Sequence, residues 1–465
     1  MNPMHDVLGY AERHEQRFLS ELAELLSISS VSTDKSQSGE MQRCAEWLAN
    51  HLRQVGFDAR TFATPGNPVV FAEYKARTQA PVLLLYGHYD VQPAGSPKLW
   101  DSPPFCATIR GGRIYARGAT DDKGQFFIHL KAAEAWLKTA GFLPVNLKIL
   151  LEGEEEVGSP NLGAFLTEHR ERLACDMAVI SDTPFFADGV PAICYALRGI
   201  AYLQIEVEGP NRDLHSGTHG GAVQNPIHVL AELIARLHDD NGAVTIPGFY
   251  DDVLPLAAEE RRAFSGLPWS DESLARNLGV DQLSGEKGFS TLERIWARPT
   301  LDCNGISGGF TAEGMMSIIP ARASAKISMR LVPNQQPDKI ARLFEQHIRS
   351  MAPRTVCVSV KHLAAAEPAM TSLSSPGMQA AQFALEKAFG KQPLLQRDGG
   401  TIPVITHIKR ILGADTVLLG FGLPDENAHA PNEFLKLDHF RRGVRAAAWF
   451  YQHFASGVMR TQAGS

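Results

Sequence analysis

The chain has 465 residues, of which 44% are hydrophobic and 21% charged, an ordinary globular composition that excludes a disordered or fibrous protein. Lys and Arg number 45 against 51 Asp and Glu, for a net charge of -6, and no basic block is present to hold a polyanion, so nucleic acid is not an expected partner. At about 150 residues per domain, the length predicts two or three domains.

The opening stretch from Met1 to Phe18 carries charged residues and offers no apolar signal region. No apolar run approaches the ~20 residues that a membrane helix needs, so no membrane association is expected. The six cysteines (Cys44, Cys106, Cys175, Cys194, Cys303 and Cys357) are scattered and include no C-x-x-C pair. Neither a thiolate zinc knuckle nor a disulfide framework is therefore expected, and a reducing, cytoplasmic setting is.

Taken in chain order, Met41 to Val55 has helical apolar spacing and closes on Gly56. The run Val82 to Tyr86 reads as a buried strand, Gly124 to Lys138 as an amphipathic helix ending before Gly141, and Leu147 to Leu151 and Met177 to Ile180 as two further buried strands. Ala201 to Val207 and Ala325 to Leu331 alternate with period two, the pattern of a half-solvated antiparallel sheet. Ser375-Pro376 offers an N-cap and an N1 proline for a helix to Phe389 with Gly390 behind it, and Thr416 to Phe421 is a last apolar strand. Composition changes near Leu197 to Gly199 and near Ala364 to Ala369. The expected fold is α/β, with a mixed, largely parallel sheet flanked by helices, interrupted by an inserted α+β domain with an antiparallel sheet. The expected parts are 1–197, 198–367 and 368–465, the first and last forming one domain.

Each buried strand of the α/β part ends in polar residues that a core would not choose. Tyr86 leads into Gly87-His88-Tyr89-Asp90, Leu151 into Glu152-Gly153-Glu154-Glu155-Glu156, Ile180 into Ser181-Asp182, and Phe421 into the loop containing Asn427-Ala428-His429. In open α/β sheets the carboxyl ends of the strands converge on the ligand crevice. Gly118 to Gly124, which contains Asp121-Asp122, adds carboxylates at the start of a helix. A single His after a strand is usually structural, and Asp121-Asp122 alone would only complement a helix dipole. Four strand ends together are not so explained. Imidazole with carboxylate and no thiolate suits zinc, with manganese or cobalt as substitutes, and so many carboxylates in one crevice require neutralising cations.

These motifs, GHYDVQP (Gly87 to Pro93), RGATDDKG (Arg117 to Gly124), EGEEEVGS (Glu152 to Ser159), the Asp182 strand end, RDLHSG (Arg212 to Gly217), SMRLVPNQ (Ser328 to Gln335) and NAHAPNE (Asn427 to Glu433), resemble one family. It is the carnosinase and cytosolic nonspecific dipeptidase branch of the two-metal peptidases that also include aminoacylase and carboxypeptidase G. The resemblance covers most of the chain in the same order. It implies a zinc-peptidase-type catalytic domain and an inserted domain for lid closure and dimerisation. It implies two divalent ions per subunit, Zn²⁺ first and Mn²⁺ or Co²⁺ as alternatives. His88, Asp121 and Asp182 would hold one ion, and Asp121, Glu156 and His429 the other, with Asp121 bridging. Glu155 would be the general base and Asp90 the carboxylate that orients the His88 imidazole. The peptide bond after the bridging aspartate is typically cis in this family.

The resemblance also assigns roles in the middle of the chain. His215 would reach across a homodimer interface to stabilise the oxyanion in the partner subunit, and Arg330 would hold the substrate's terminal carboxylate. Arg330 falls on the face of its strand opposite Ile327, Met329 and Leu331. Gly400 and Thr401, in Arg397-Asp398-Gly399-Gly400-Thr401, resemble the glycine segment at the substrate's carboxylate end. The chain departs from its relatives in having Glu154 where Met is common and Val157 where Ser is common. The spacing to Gly158-Ser159 selects Glu155 and Glu156 from the three glutamates. The expected reaction is metal-dependent hydrolysis of a dipeptide or short peptide with a free C-terminus. The alternatives are an N-acyl or N-carbamoyl amino acid amidohydrolase of the same fold and a non-catalytic assembly subunit.

Overall fold

Four strands of buried aliphatic residues run parallel at the centre of a large mixed sheet. They lie side by side in the order Asn146–Glu152, Val82–His88, Met177–Ile180 and Asp415–Leu418. The computed structural model describes residues 3–76 and 79–463. Beyond the parallel strands the sheet continues antiparallel, through Val69–Tyr74 and Asp58–Phe62 on one side and Ala192–Leu197 on the other. Val82–His88 is buried along nearly its whole length because helices cover the sheet, which is why its sequence is a continuous apolar run rather than an alternation. The parallel arrangement brings the carboxyl ends of all four strands to one edge.

The helix Lys123–Ala140 packs on the Val82–His88 strand and against the long helix Leu437–Ala463, which also carries Pro376–Phe389. Its N-terminus sits so close to the preceding loop that a Cβ on Gly124 would lie 2.0 Å from the Ala119 carbonyl oxygen. The helix is not amphipathic, contrary to expectation, for it is buried on all sides from Lys123 to Trp136. Its polar residues are satisfied by distant segments. The Lys131 ammonium meets the Glu21 carboxylate, Glu134 Oε2 at 2.9 Å and His51 Nε2 at 2.7 Å, and His129 lies between Ser181 Oγ at 2.7 Å and Tyr451 Oη at 3.2 Å. The helix Pro376–Phe389 has its expected N-cap, with Ser375 Oγ accepting from Met378 N, and Gly390 follows it at φ 73°. The last parallel strand stops at Leu418, three residues short of the expected Phe421, although Leu419 N still donates to Ile180 O at 2.8 Å.

The chain divides into two compact units. One takes the residues up to Tyr195, Thr371–Gln396 and those from Pro403 onward, and the other Ala196–Met370 with Arg397–Ile402. In the second unit four antiparallel strands lie in the order Thr300–Gly308, Arg322–Leu331, Gly199–Glu208 and Cys357–Ala366. The period-two pattern places Leu203, Ile205, Val207, Ile327 and Met329 in a core with Val229 and Leu233 of the helix Pro226–Ala235 and Ile340 and Phe344 of Pro337–Met351. Among the described residues no helix is long and apolar enough to cross a membrane.

Candidate metal centre

His88 is the last residue of its strand and is fully buried. Its Nδ1 lies 3.1 Å from the Asp90 carbonyl oxygen, which can only accept, so Nδ1 carries a proton and, in the neutral ring, the Nε2 lone pair is left for a ligand bond. Nε2 is 3.0 Å from Asp121 Oδ1 and 3.8 Å from Asp182 Oδ2 yet hydrogen-bonds to neither, and the ligand-type atoms of the three residues lie within 4.8 Å of one another. Asp182 stands two residues beyond the end of the adjacent strand Met177–Ile180.

Asp121 serves a second cluster with its other oxygen. Asp121 Oδ2 is 2.9 Å from His429 Nε2, which is 3.2 Å from Glu156 Oε2. Asp121 Oδ1 faces His88, so this one carboxylate lies between the two clusters. The Asp121–Asp122 peptide bond is cis. The crowding is electrostatically costly. Burial pushes Asp182 up to about 8, with Asp121 adding to it. Burial also pushes Glu155 up to about 7, with His88 opposing and Glu156, Asp121 and Asp90 adding. Contacts with Asp121 and Glu156 raise His429 to about 10. A buried imidazole nitrogen with no hydrogen-bond partner, in a nest of carboxylates without thiolates, fits divalent cations of the zinc class.

The turn that follows Asn146–Glu152 separates its three glutamates. Glu154 is turned away, accepting from Asn67 N at 3.2 Å and from Asn161 Nδ2 at 2.8 Å. Glu156 faces His429, and Glu155 begins the one-turn helix Glu155–Val157. The Asp90 carboxylate lies 3.4 Å from His88 Nδ1 and accepts from Glu155 N at 3.2 Å and Glu156 N at 3.1 Å. The expectation placed the Asp90 carboxylate on the imidazole, but the hydrogen bond to Nδ1 is made by the Asp90 carbonyl oxygen, and the carboxylate instead receives the N–H groups of the glutamate turn. A third group of ligand-type residues, Glu21, His51 and Glu134, surrounds Lys131, whose ammonium supplies the cation there.

The remaining expected residues lie in the second unit. His215 is exposed at the start of Ser216–His219, and its Nδ1 accepts from Gly217 N at 3.0 Å, so the ring carries its proton on Nε2 when neutral. Arg330 lies on the strand face away from the core, and its Nη1 donates to Thr401 Oγ1 at 3.0 Å. Thr401 in turn donates to Arg198 O at 2.6 Å. The Gly400 N–H is taken by Asp398 Oδ1 at 2.6 Å.

Residues 84–453 match the profile of peptidase family M20/M25/M40. The chain belongs to this family. The Cys-Gly metallodipeptidase of Schizosaccharomyces pombe is 31% identical over 96% of this chain and 97% of its own length. The Beta-Ala-His dipeptidase of Homo sapiens is 29% identical over 97% of this chain and 93% of its own length. Among solved structures, an M20 family metallo-carboxypeptidase from Sulfolobus solfataricus superposes with a TM-score of 0.83 at 33% identity, over 94% of this chain and 99% of that one. One residue beside the clustered carboxylates was passed over by sequence reasoning. Gln92, in the motif Gly87 to Pro93, donates from Nε2 to Glu156 Oε2 at 2.9 Å and so orients that carboxylate. Its place four residues after His88 was the available signal.

Proposed function

We propose that this M20 peptidase hydrolyses dipeptides and other short peptides with a free C-terminal carboxylate at a centre of two divalent ions. The observation that carries the reading is Asp121, one oxygen of which faces His88 and the other His429. His88, Asp121 and Asp182 would hold one ion, and Asp121, Glu156 and His429 the other, with Zn²⁺ favoured by the donor set. Bound there, such ions acidify a water molecule and polarise the scissile carbonyl.

Glu155 takes the proton of the attacking water and delivers it to the leaving amine. Burial and neighbouring carboxylates favour a raised proton affinity in this group, which suits a base that must also act as an acid. The Asp90 carboxylate accepts the Glu155 backbone N–H and so keeps Glu155 in place. Arg330, with Thr401 beside it, holds the substrate's terminal carboxylate, a task matched to a guanidinium on an open strand face. His215 donates from Nε2 to the developing oxyanion, acting across the interface of a homodimer. The second unit serves as lid and dimerisation domain. Scattered cysteines without a C-x-x-C pair favour a cytoplasmic setting.

A panel of dipeptides beside N-acetyl and N-carbamoyl amino acids tests the reaction. Cleavage of the dipeptides alone is the expected result. Cleavage of the acylated or carbamoylated amino acids alone would move the enzyme to the amidohydrolases.

A further inference from the structure

Two carboxylates that no step of the proposed reaction uses lie within four residues of His429, and both grip the loop that carries Asp121. Glu433 is fully buried, and its two oxygens accept four hydrogen bonds. Oε2 takes Arg117 Nη1 at 2.7 Å and Gly118 N at 2.9 Å, and Oε1 takes Thr120 N at 2.9 Å and Asp121 N at 3.2 Å. Four donors fill the acceptor sites of an ionised carboxylate. Glu426, also fully buried, accepts from the Thr120 hydroxyl at 2.6 Å and Leu423 N at 2.9 Å on Oε2, and from Lys436 N at 2.9 Å on Oε1. It closes the base of the His429 loop and fastens it to Thr120.

Between these two glutamates the backbone takes left-handed conformations at Asn427 (φ 57°), His429 (φ 61°) and Asn432 (φ 61°). Left-handed backbone is disfavoured in residues other than glycine and persists only where the surroundings over-determine it. A loop of this kind would not by itself hold an imidazole 2.9 Å from Asp121 Oδ2. Burying a carboxylate is expensive unless its oxygens are fully bonded, and here the bonds of two such groups go to the one short segment Arg117 to Asp121 and to the ends of the His429 loop.

We propose that Glu433 and Glu426 are positioning residues that hold Asp121 and His429 at ligating distance, so that two carboxylates touching no ion set metal affinity, Glu433 at both sites and Glu426 at the site that includes His429. Glu433 acts on the main chain of Asp121, which both sites share, whereas Glu426 acts on the His429 loop. The inference rests on the two-ion reading of the centre.

The test is competition for Zn²⁺ between a chromophoric chelator and the full-length, metal-stripped protein, with thermal unfolding of the stripped protein measured alongside. Glu426→Gln keeps the shape but turns an amide N–H towards a donor. It is expected to weaken one ion by about 10–100-fold, the usual cost of losing a partner that orients a ligand, and to leave the other at the wild-type value. Glu433→Gln is expected to weaken both, with peptide cleavage recovering in excess Zn²⁺. Glu433→Gln also leaves Arg117 without its carboxylate, so if it does not fold, Glu426→Gln, which breaks no ion pair, decides. Wild-type affinity at both sites in folded Glu426→Gln, with only a lower unfolding temperature, would reduce the pair to structural residues and overturn the inference. A wild-type protein that binds two ions but cleaves no peptide would refute the proposed reaction and leave the affinity test in force. A wild-type protein that binds no ion would overturn both.

Discussion

His88 and His429 face the same aspartate from opposite sides, but the chain places them by different means. His88 ends a central parallel strand, is fully buried, and has its tautomer fixed two residues away by Asp90. His429 sits in a loop with left-handed backbone, its side chain 56% exposed, and depends on hydrogen bonds made by Glu426 and Glu433 to a segment some 300 residues earlier. The first half of the centre is rigid because the sheet is rigid, while the second is rigid only as far as those bonds hold. Ligand exchange, metal loss and damage by substitution should therefore fall unequally on the two sides.

The largest effect expected is on a residue that belongs to neither side. Glu155→Gln should retain both ions and lose about 10²–10⁴-fold in kcat, the usual share of a general base, in a steady-state assay with metal content measured on the same sample. Full activity in the metal-loaded variant would remove Glu155 from the mechanism. Next comes the contrast itself. His88→Ala should lose its ion and also lower the unfolding temperature of the stripped protein, because it empties a fully buried position. His429→Ala should lose one ion while lowering the unfolding temperature of the stripped protein less than His88→Ala does, because its side chain is 56% exposed. Equal destabilisation by the two would break the comparison.

Arg330→Ala should raise KM for dipeptides well above its effect on kcat. Mixed with His215→Ala under subunit exchange, it should regain part of the activity if the histidine acts in the partner's centre. No recovery after verified exchange would place His215 within its own chain or outside the reaction.

The smallest effect concerns the helix behind the centre. Burial lowers His129 from 6.5 to about 3, so between those values the unfolded chain holds a proton that the folded one does not, and stability falls as pH drops below about 6.5. His129→Gln should flatten that loss by about 1.4 kcal/mol per pH unit in denaturant unfolding of the stripped protein between pH 6 and pH 5. An unchanged slope would show that His129 is protonated in the folded state.

The strand-end side was the legible one. A parallel strand covered on both faces must be a run of aliphatic residues, so the polar residues after Tyr86, Leu151 and Ile180 stand out, and the topology then gathers them at one edge. The company of His429 was legible only through a motif, because no periodicity links a loop to the carboxylates it faces. Glu154 illustrates the same limit. Three consecutive glutamates look alike in sequence, and what separates them is Asn67 and Asn161 folding against the first. The pattern of the helix Lys123–Ala140 reads as amphipathic because nothing local shows that Lys131 and His129 find their partners in Glu21, His51, Ser181 and Tyr451, all remote in the chain.

The most direct test of the account is to strip the protein with a chelator, add back Zn²⁺ or Mn²⁺ in measured steps, and follow dipeptide cleavage against ions bound per chain. Cleavage that rises to its maximum only as the second ion is taken up is the predicted result. Full cleavage with one ion bound, or with none, would contradict a centre built on a bridging Asp121.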